Sequence, residues 1–89
     1  MAFIKVENLL GKIRVQIDNE NPDLCVYLTK SKTEAGGKDE FWYYVELGHD
    51  QTITIVDSNP DIKIKFVDKK EDAKWINKSH KFYKRLLLA

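Results

Sequence analysis

Apolar and polar residues alternate with period two along several stretches of this chain. "KIRVQI" (12–17) sets Ile13, Val15 and Ile17 on one face against Lys12, Arg14 and Gln16. β-Branched residues at that period predict a strand with one wet face. "DLCVYL" (23–28) repeats the pattern with Leu24, Val26 and Leu28, while Cys25 and Tyr27 make its other face more enclosed. "FWYYVEL" (41–47) sets Phe41, Tyr43, Val45 and Leu47 opposite Trp42 and Tyr44. Large side chains on both faces mark a central strand. "QTITIV" (51–56) points Ile53 and Ile55 inward, and "DIKIKFV" (61–67) points Ile62, Ile64 and Phe66 inward. "FIKVE" (3–7) alternates weakly, and residues 1–10 read equally as a short strand or a mobile end.

The breaks between these stretches carry turn chemistry. Asn21-Pro22-Asp23 and Asn59-Pro60-Asp61 each precede a strand, where Pro cannot donate to a ladder and Asp can accept backbone N–H groups. "TKSKTEAGGKDE" (29–40), with Gly36-Gly37, is the longest polar stretch and reads as the most flexible loop. Residues 68–79 show no clean period, and Ser79 is placed to cap a short helix over 80–88.

The two Asn-Pro-Asp turns belong to a longer repetition. "NENPDLCVYLTKSKTEA" (19–35) returns 38 positions later as "DSNPDIKIKFVDKKEDA" (57–73). Within each half the apolar triplets recur after 11 residues, from Ile13/Val15/Ile17 to Leu24/Val26/Leu28 and from Gln51/Ile53/Ile55 to Ile62/Ile64/Phe66. The expectation is one all-β domain over 1–89, with short and mainly antiparallel strands and a short C-terminal helix. Its pseudo-repeats, 12–42 and 50–75, are expected in equivalent positions about a pseudo-twofold axis.

Composition adds limits more than direction. At 89 residues there is room for one modest core, and 43% apolar with 33% charged residues is ordinary for a globular domain. Fifteen basic against fourteen acidic residues removes any broad electrostatic case for nucleic acid or a membrane surface. The single Cys25 rules out an internal disulfide and fits a reducing compartment. No signal sequence or membrane span is readable, so a cytoplasmic, monomeric protein without metal or cofactor is expected.

Few side chains could carry chemistry. Cys25 lies in an apolar strand, where a thiol acts as a small hydrophobe. His49 sits in a turn, and His80 fits a hydrogen-bonding role near the chain's closing turn. Asp23 and Asp61 read as turn acceptors. The candidate binding surface is Lys12, Arg14, Lys63 and Lys65, alternating outward, with Phe41, Trp42, Tyr43 and Tyr44 as aromatics able to stack on single-stranded bases. Alternating lysines are also the ordinary wet face of a sheet. The leading expectation is a non-enzymatic interaction or structural module with unknown partner, and the alternative is a nucleic-acid-binding protein.

Several segments resemble a known family of small bacterial proteins. Pro22-Asp23-Leu24, Glu34-Ala35, Trp42-Tyr43, Pro60-Asp61-Ile62, Ala73, Trp75 and Asn77-Lys78-Ser79-His80 match its repeated Asp-Leu segments and closing Trp and Asn-Lys-Ser-His motif. This is the septoil-knot family, and the resemblance implies a backbone tied in a seven-crossing torus knot, with Trp75, Asn77, Ser79 and His80 as the closing segment. It implies no activity and no cofactor. Connections rarely thread, but two equivalent halves winding about each other would make such a path accessible.

Overall fold

The alternating stretches become strands β1 (Phe3–Val6), β2 (Ile13–Ile17), β3 (Leu24–Leu28), β4 (Phe41–Tyr44), β5 (Gln51–Ile55) and β6 (Ile62–Val67). The structure is a computed structural model and describes residues 3–7, 11–30 and 38–88. Strand order is β4-β1-β5-β2-β6-β3, and β3 pairs back to β4, so the sheet closes into a six-stranded barrel. The weakly patterned N-terminus supplies β1, which is paired on both sides. The Gly36-Gly37 loop falls outside the described residues.

Every pairing in the barrel is parallel, which overturns the antiparallel expectation. One wet face ordinarily signals an antiparallel sheet, because parallel sheets are usually covered on both sides and need crossovers of about a dozen residues or more. Here closure buries the inner face, and residues 7–12, 18–23, 45–50 and 56–61 connect parallel strands with only six residues each. Only the two-residue β7 (Lys74–Trp75) runs antiparallel, along the start of β3.

Register explains the short connections. Ile53 pairs with Val6, the end of β1, on one side and with Ile13, the start of β2, on the other. Val15 likewise stands between Ile55 and Ile62, Ile64 between Ile17 and Leu24, and Ile4 between Tyr44 and Gln51. Within each half, every strand thus ends directly across one intervening strand from where the next begins. A stagger this large tilts the strands steeply from the barrel axis.

The intervening strand always comes from the other half. Strands β1–β3 and β4–β6 alternate around the ring, and no two strands of one half are paired with each other. The repeat extends further than the sequence reading placed it, since β1 and β4 are also 38 positions apart. Repeat-related strands are ring neighbours, one strand-width apart, and not partners across a twofold axis.

Connections of one half strap over strands of the other. Gly11 and Lys12, which lead into β2, lie against the outer face of β5, where Gly11 N–H donates to Thr54 Oγ1 at 2.7 Å and Lys12 N–H to Thr52 Oγ1 at 2.9 Å. A Cβ on Gly11 would stand 2.3 Å from the carbonyl carbon of Ile53, so only glycine fits. The segment from β5 to β6 crosses β2 in the same way. Gln16 Nε2 donates to the Asp57 carbonyl at 2.8 Å, and Arg14 Nη2 reaches the Ser58 carbonyl at 3.5 Å.

An aspartate just before a strand locks three of the four crossings. Asp23 N–H donates to the Lys63 carbonyl (2.8 Å) while its Oδ2 accepts the Lys63 N–H (2.9 Å). Asp61 does the same to Arg14 (2.7 and 2.9 Å), and Asp50 to Phe3 (2.8 and 3.1 Å). The aspartates of the Asn-Pro-Asp turns therefore accept backbone N–H groups from the opposite half and not from their own turn. Pro22 and Pro60 precede them where no ladder donor is needed, and Asn59 supplies a left-handed backbone (φ 52°).

The expected C-terminal helix is absent. Residues 76–85 form successive turns, ending in a short 3-10 segment, Leu86–Leu88. Ser79 does not cap: its N–H donates to Asn77 Oδ1 at 3.1 Å. His80 Nδ1 takes the Phe82 N–H at 3.0 Å, and Lys84 turns left-handed (φ 58°), both incompatible with a continuous helix. In return Trp75 and Leu86 are buried with the core, with Phe82, Tyr83 and Leu87 packed against it.

Replacing Asp61 with Ala removes a charged acceptor from a bonded N–H and should cost roughly 1–3 kcal/mol of stability. Asp61→Asn, which keeps an acceptor oxygen, should cost less. Equilibrium denaturation of both variants checks this, and an unchanged midpoint for Asp61→Ala would refute the clamp.

Candidate functional site

Inward-facing side chains stack in three layers along the barrel. The middle layer is Ile4, Val15, Val26, Trp42, Ile53 and Ile64, all fully buried. So narrow a barrel is filled by its own side chains. At the ends where strands begin, Ile13, Leu24, Gln51 and Ile62 are buried too. The C-terminal segment closes that end: Gln51 Nε2 donates to the Leu86 carbonyl at 3.0 Å, and Leu86 N–H donates to Asp39 Oδ2 at 3.3 Å.

Among the described residues the opposite end is open. Val6, Ile17, Leu28, Tyr44 and Ile55 are the last residues of their strands, and each is 37–45% exposed. Half-buried Phe66 of β6 completes the ring. Two clefts open between these strand ends. One, of about 310 Å³, is lined by Val6, Tyr44, Val45 and Glu46. The other, of about 360 Å³, is lined by Tyr27, Leu28, Lys30, Phe66, Val67 and Asp68. Burial pushes the Tyr44 phenol above its ordinary pKa. Barrel mouths are recurrent binding places, and this apolar rim is the candidate site.

The basic residues singled out from sequence serve mainly the straps. Arg14 and Lys63 each give backbone N–H and C=O to an aspartate clamp. Lys12 donates its N–H to Thr52, and Lys65 lies opposite Cys25. Lys63 Nζ stands 4.0 Å from Asp18 Oδ2, so acid is interleaved with base on this face. Asp18 Oδ1 takes the Asn21 and Glu20 N–H groups (3.0 and 2.9 Å), and those bonds hold its pKa below the ordinary value. The aromatics are elsewhere. Trp42 is buried, and β4, carrying Phe41 and Tyr43, stands across the ring from β2. On the outside, Phe41 meets Tyr27 and Tyr43 meets Phe3, each with ring centroids 6.0 Å apart.

The closing segment ties both Asn-Pro-Asp turns together. Ile76 and Asn77 N–H donate to the Asp23 carbonyl (2.9 and 3.0 Å), and Asn77 Nδ2 donates to Asp23 Oδ1 at 3.0 Å. His80 Nδ1 accepts from Phe82, so the proton sits on Nε2, which donates to the Asp61 carbonyl at 3.0 Å. Asp23 Oδ2 lies 3.7 Å from the same nitrogen. Both ring nitrogens are thus committed to structure. Cys25 is free and buried, and His49 is exposed in its turn. Among the described residues no three His, Cys, Asp or Glu converge as a metal site, and no helix is long and apolar enough to cross a membrane.

The matched span agrees with this geometry. A family model for a 7(1) septoil knot domain matches residues 3–76. The chain belongs to the septoil knot domain family. The match runs from the first residue of β1 through β7 and leaves the closing segment from Asn77 onward beyond its end. Among curated proteins none matches this chain.

Sequence reading missed the mouth of this septoil knot domain, although a signal existed. Ile17, Leu28, Ile55 and Phe66 end their triplets at one repeat position, and polar turn residues follow within two positions. It also missed Asp39, a buried carboxylate whose oxygen holds Leu86. Burial raises the Asp39 pKa, against the opposing N–H groups of Leu86 and Leu87. The buried Trp75 indole N–H has no partner within bonding distance, but it faces this carboxylate and also lowers its pKa.

A folded-state pKa above the unfolded value means the folded chain binds the extra proton. The Asp39 contribution is therefore fully present below the unfolded carboxylate value and lost as pH rises through the folded one. Asp39→Asn should flatten that decline in denaturation midpoints measured across mildly acidic pH. Parallel pH profiles for the two proteins would count against the buried charge.

Proposed function

We propose that this domain is a non-enzymatic, monomeric, cytoplasmic interaction module that engages a protein partner through its open mouth. The observation that carries this reading is the asymmetry of the two ends. One is covered by the chain's own C-terminal segment, and its cleft is lined largely by the charged Lys38, Asp39, Glu40 and Lys84, while the other leaves a ring of apolar side chains exposed above a fully packed layer. Contiguous exposed apolar surface on a small domain is a mark of an interaction site. The side chains best suited to chemistry, His80 and Cys25, are absorbed by structure, which supports binding over catalysis.

A Ile17→Glu, Leu28→Glu double variant alters the mouth and leaves the middle layer intact. Affinity capture from extracts of the source cells should retain a stoichiometric, nuclease-resistant protein on the parent and lose it on the variant. Equal retention by both would sink the mouth as the site. Retention abolished by nuclease and moderate salt would favour the nucleic-acid alternative and make Lys63 and Lys65 the residues to mutate.

We further read the alternating halves and their straps as a threaded backbone, in keeping with the family's name. Every strand is bracketed by the other half, so the chain must unthread to unfold from either end. An unfoldase-coupled protease should degrade the domain more slowly than an unknotted domain of equal stability. Similar degradation rates would dismiss the threading.

A further inference from the structure

The open mouth is bordered by carboxylates. Turn residues that follow the strands at this end include Glu7 after β1, Glu46 after β4, Asp57 after β5 and Asp68 after β6. Glu46 lines the cleft formed by Val6, Tyr44 and Val45, and Asp68 lines the cleft beside Leu28 and Phe66. Among the described residues no ion pair engages Glu46, Asp57 or Asp68, all of which are exposed, whereas Glu7 is bonded to Lys5 at 3.1 Å. Among the described residues Lys30 is the one base lining either cleft.

The segment that covers the opposite end is basic, although it lies over Asp23, Asp39 and Asp61. Residues 73–89 contain Lys74, Lys78, Lys81, Lys84 and Arg85 and no acid. A near-neutral total charge therefore hides a local field of exposed carboxylates at the mouth. Such a field steers partners of opposite sign and repels those of like sign.

Resting on the interaction-module reading, we infer that the mouth takes a basic, apolar peptide segment of a partner protein. Its aliphatic side chains fill the cleft between Val6 and Tyr44, and its flanking Lys or Arg groups meet Glu46 and Asp57. The open Tyr44 ring offers a face to the same cation. An acidic or purely polar segment would bury apolar surface less well or meet like charge.

The test is a titration of the isotopically labelled domain followed by NMR, at low and moderate salt. The probes are three capped peptides: Leu-Lys-Leu-Arg, Leu-Glu-Leu-Glu and Gly-Lys-Gly-Arg. The inference expects Leu-Lys-Leu-Arg to shift the Val6, Ile17, Tyr44 and Ile55 signals selectively, at least tenfold more tightly than either other peptide. A Glu46→Lys, Asp57→Lys variant should lose most of that preference while keeping its fold, which the unchanged Ile4 and Val15 signals would report. If both leucine peptides bound the mouth equally, the apolar site would stand and the charge inference would fall. Absence of any shift at the mouth would overturn both. Mouth signals that moved with protein concentration alone would assign the site to the basic C-terminal segment of a second copy and overturn the proposal.

Discussion

The register between parallel strands is the constraint on which this structure depends. Because Ile53 faces the end of β1 on one side and the start of β2 on the other, the chain need only step over one strand to continue. Six residues then do what a crossover helix does in other parallel sheets. The same stagger forces the stepped-over strand to belong to the other half, since neighbouring positions along one half are always two places apart in the ring. Interleaving and short connections are one geometric fact.

That fact decides what the outward side chains do. A strand on an ordinary sheet can leave its polar face to water, but here each connection lies across the strand it passes. Thr52, Thr54, Arg14 and Gln16 occupy equivalent repeat positions and all hold a strap. The aspartates preceding β3, β5 and β6 add a second pair of bonds at the crossings. Buried or half-buried backbone groups must be paired, and the crossings would otherwise interrupt the ladder. The repeated Asn-Pro-Asp motif is the sequence's answer to that need.

Much of the strand content was legible because period-two alternation survives closure. Ile13, Val15, Leu24, Val26, Ile53, Ile62 and Ile64 all face inward, and the 38-residue repeat correctly relates β2 to β5 and β3 to β6. Direction was not legible, since an alternating strand looks the same in a parallel barrel and an antiparallel sheet. Leu47 was placed on a strand face that stops at Tyr44, and it is instead the most exposed of the large apolar residues. The C-terminal helix failed because Phe82, Tyr83 and Leu86 gain more by packing on the barrel end than by local hydrogen bonding. A tertiary contact of that kind leaves no periodic trace.

Among the described residues the two barrel ends differ because a spare segment covers only one of them. β7 and residues 76–88 follow the last barrel strand and fold back over the strand starts, where Asp23, Asp39, Gln51 and Asp61 are oriented to receive them. This seal buries the first layer, and the straps secure the second. Neither reaches the third, so the residues at the mouth add little to the core. A side chain near 40% exposed has already forgone a large part of its transfer free energy. Substitution there should therefore change surface character far more than stability, whereas Val15 or Ile64 allows no such freedom. The mouth and the buried core are separated by one layer of side chains, and that separation leaves the mouth free to vary upon a fixed, interleaved frame.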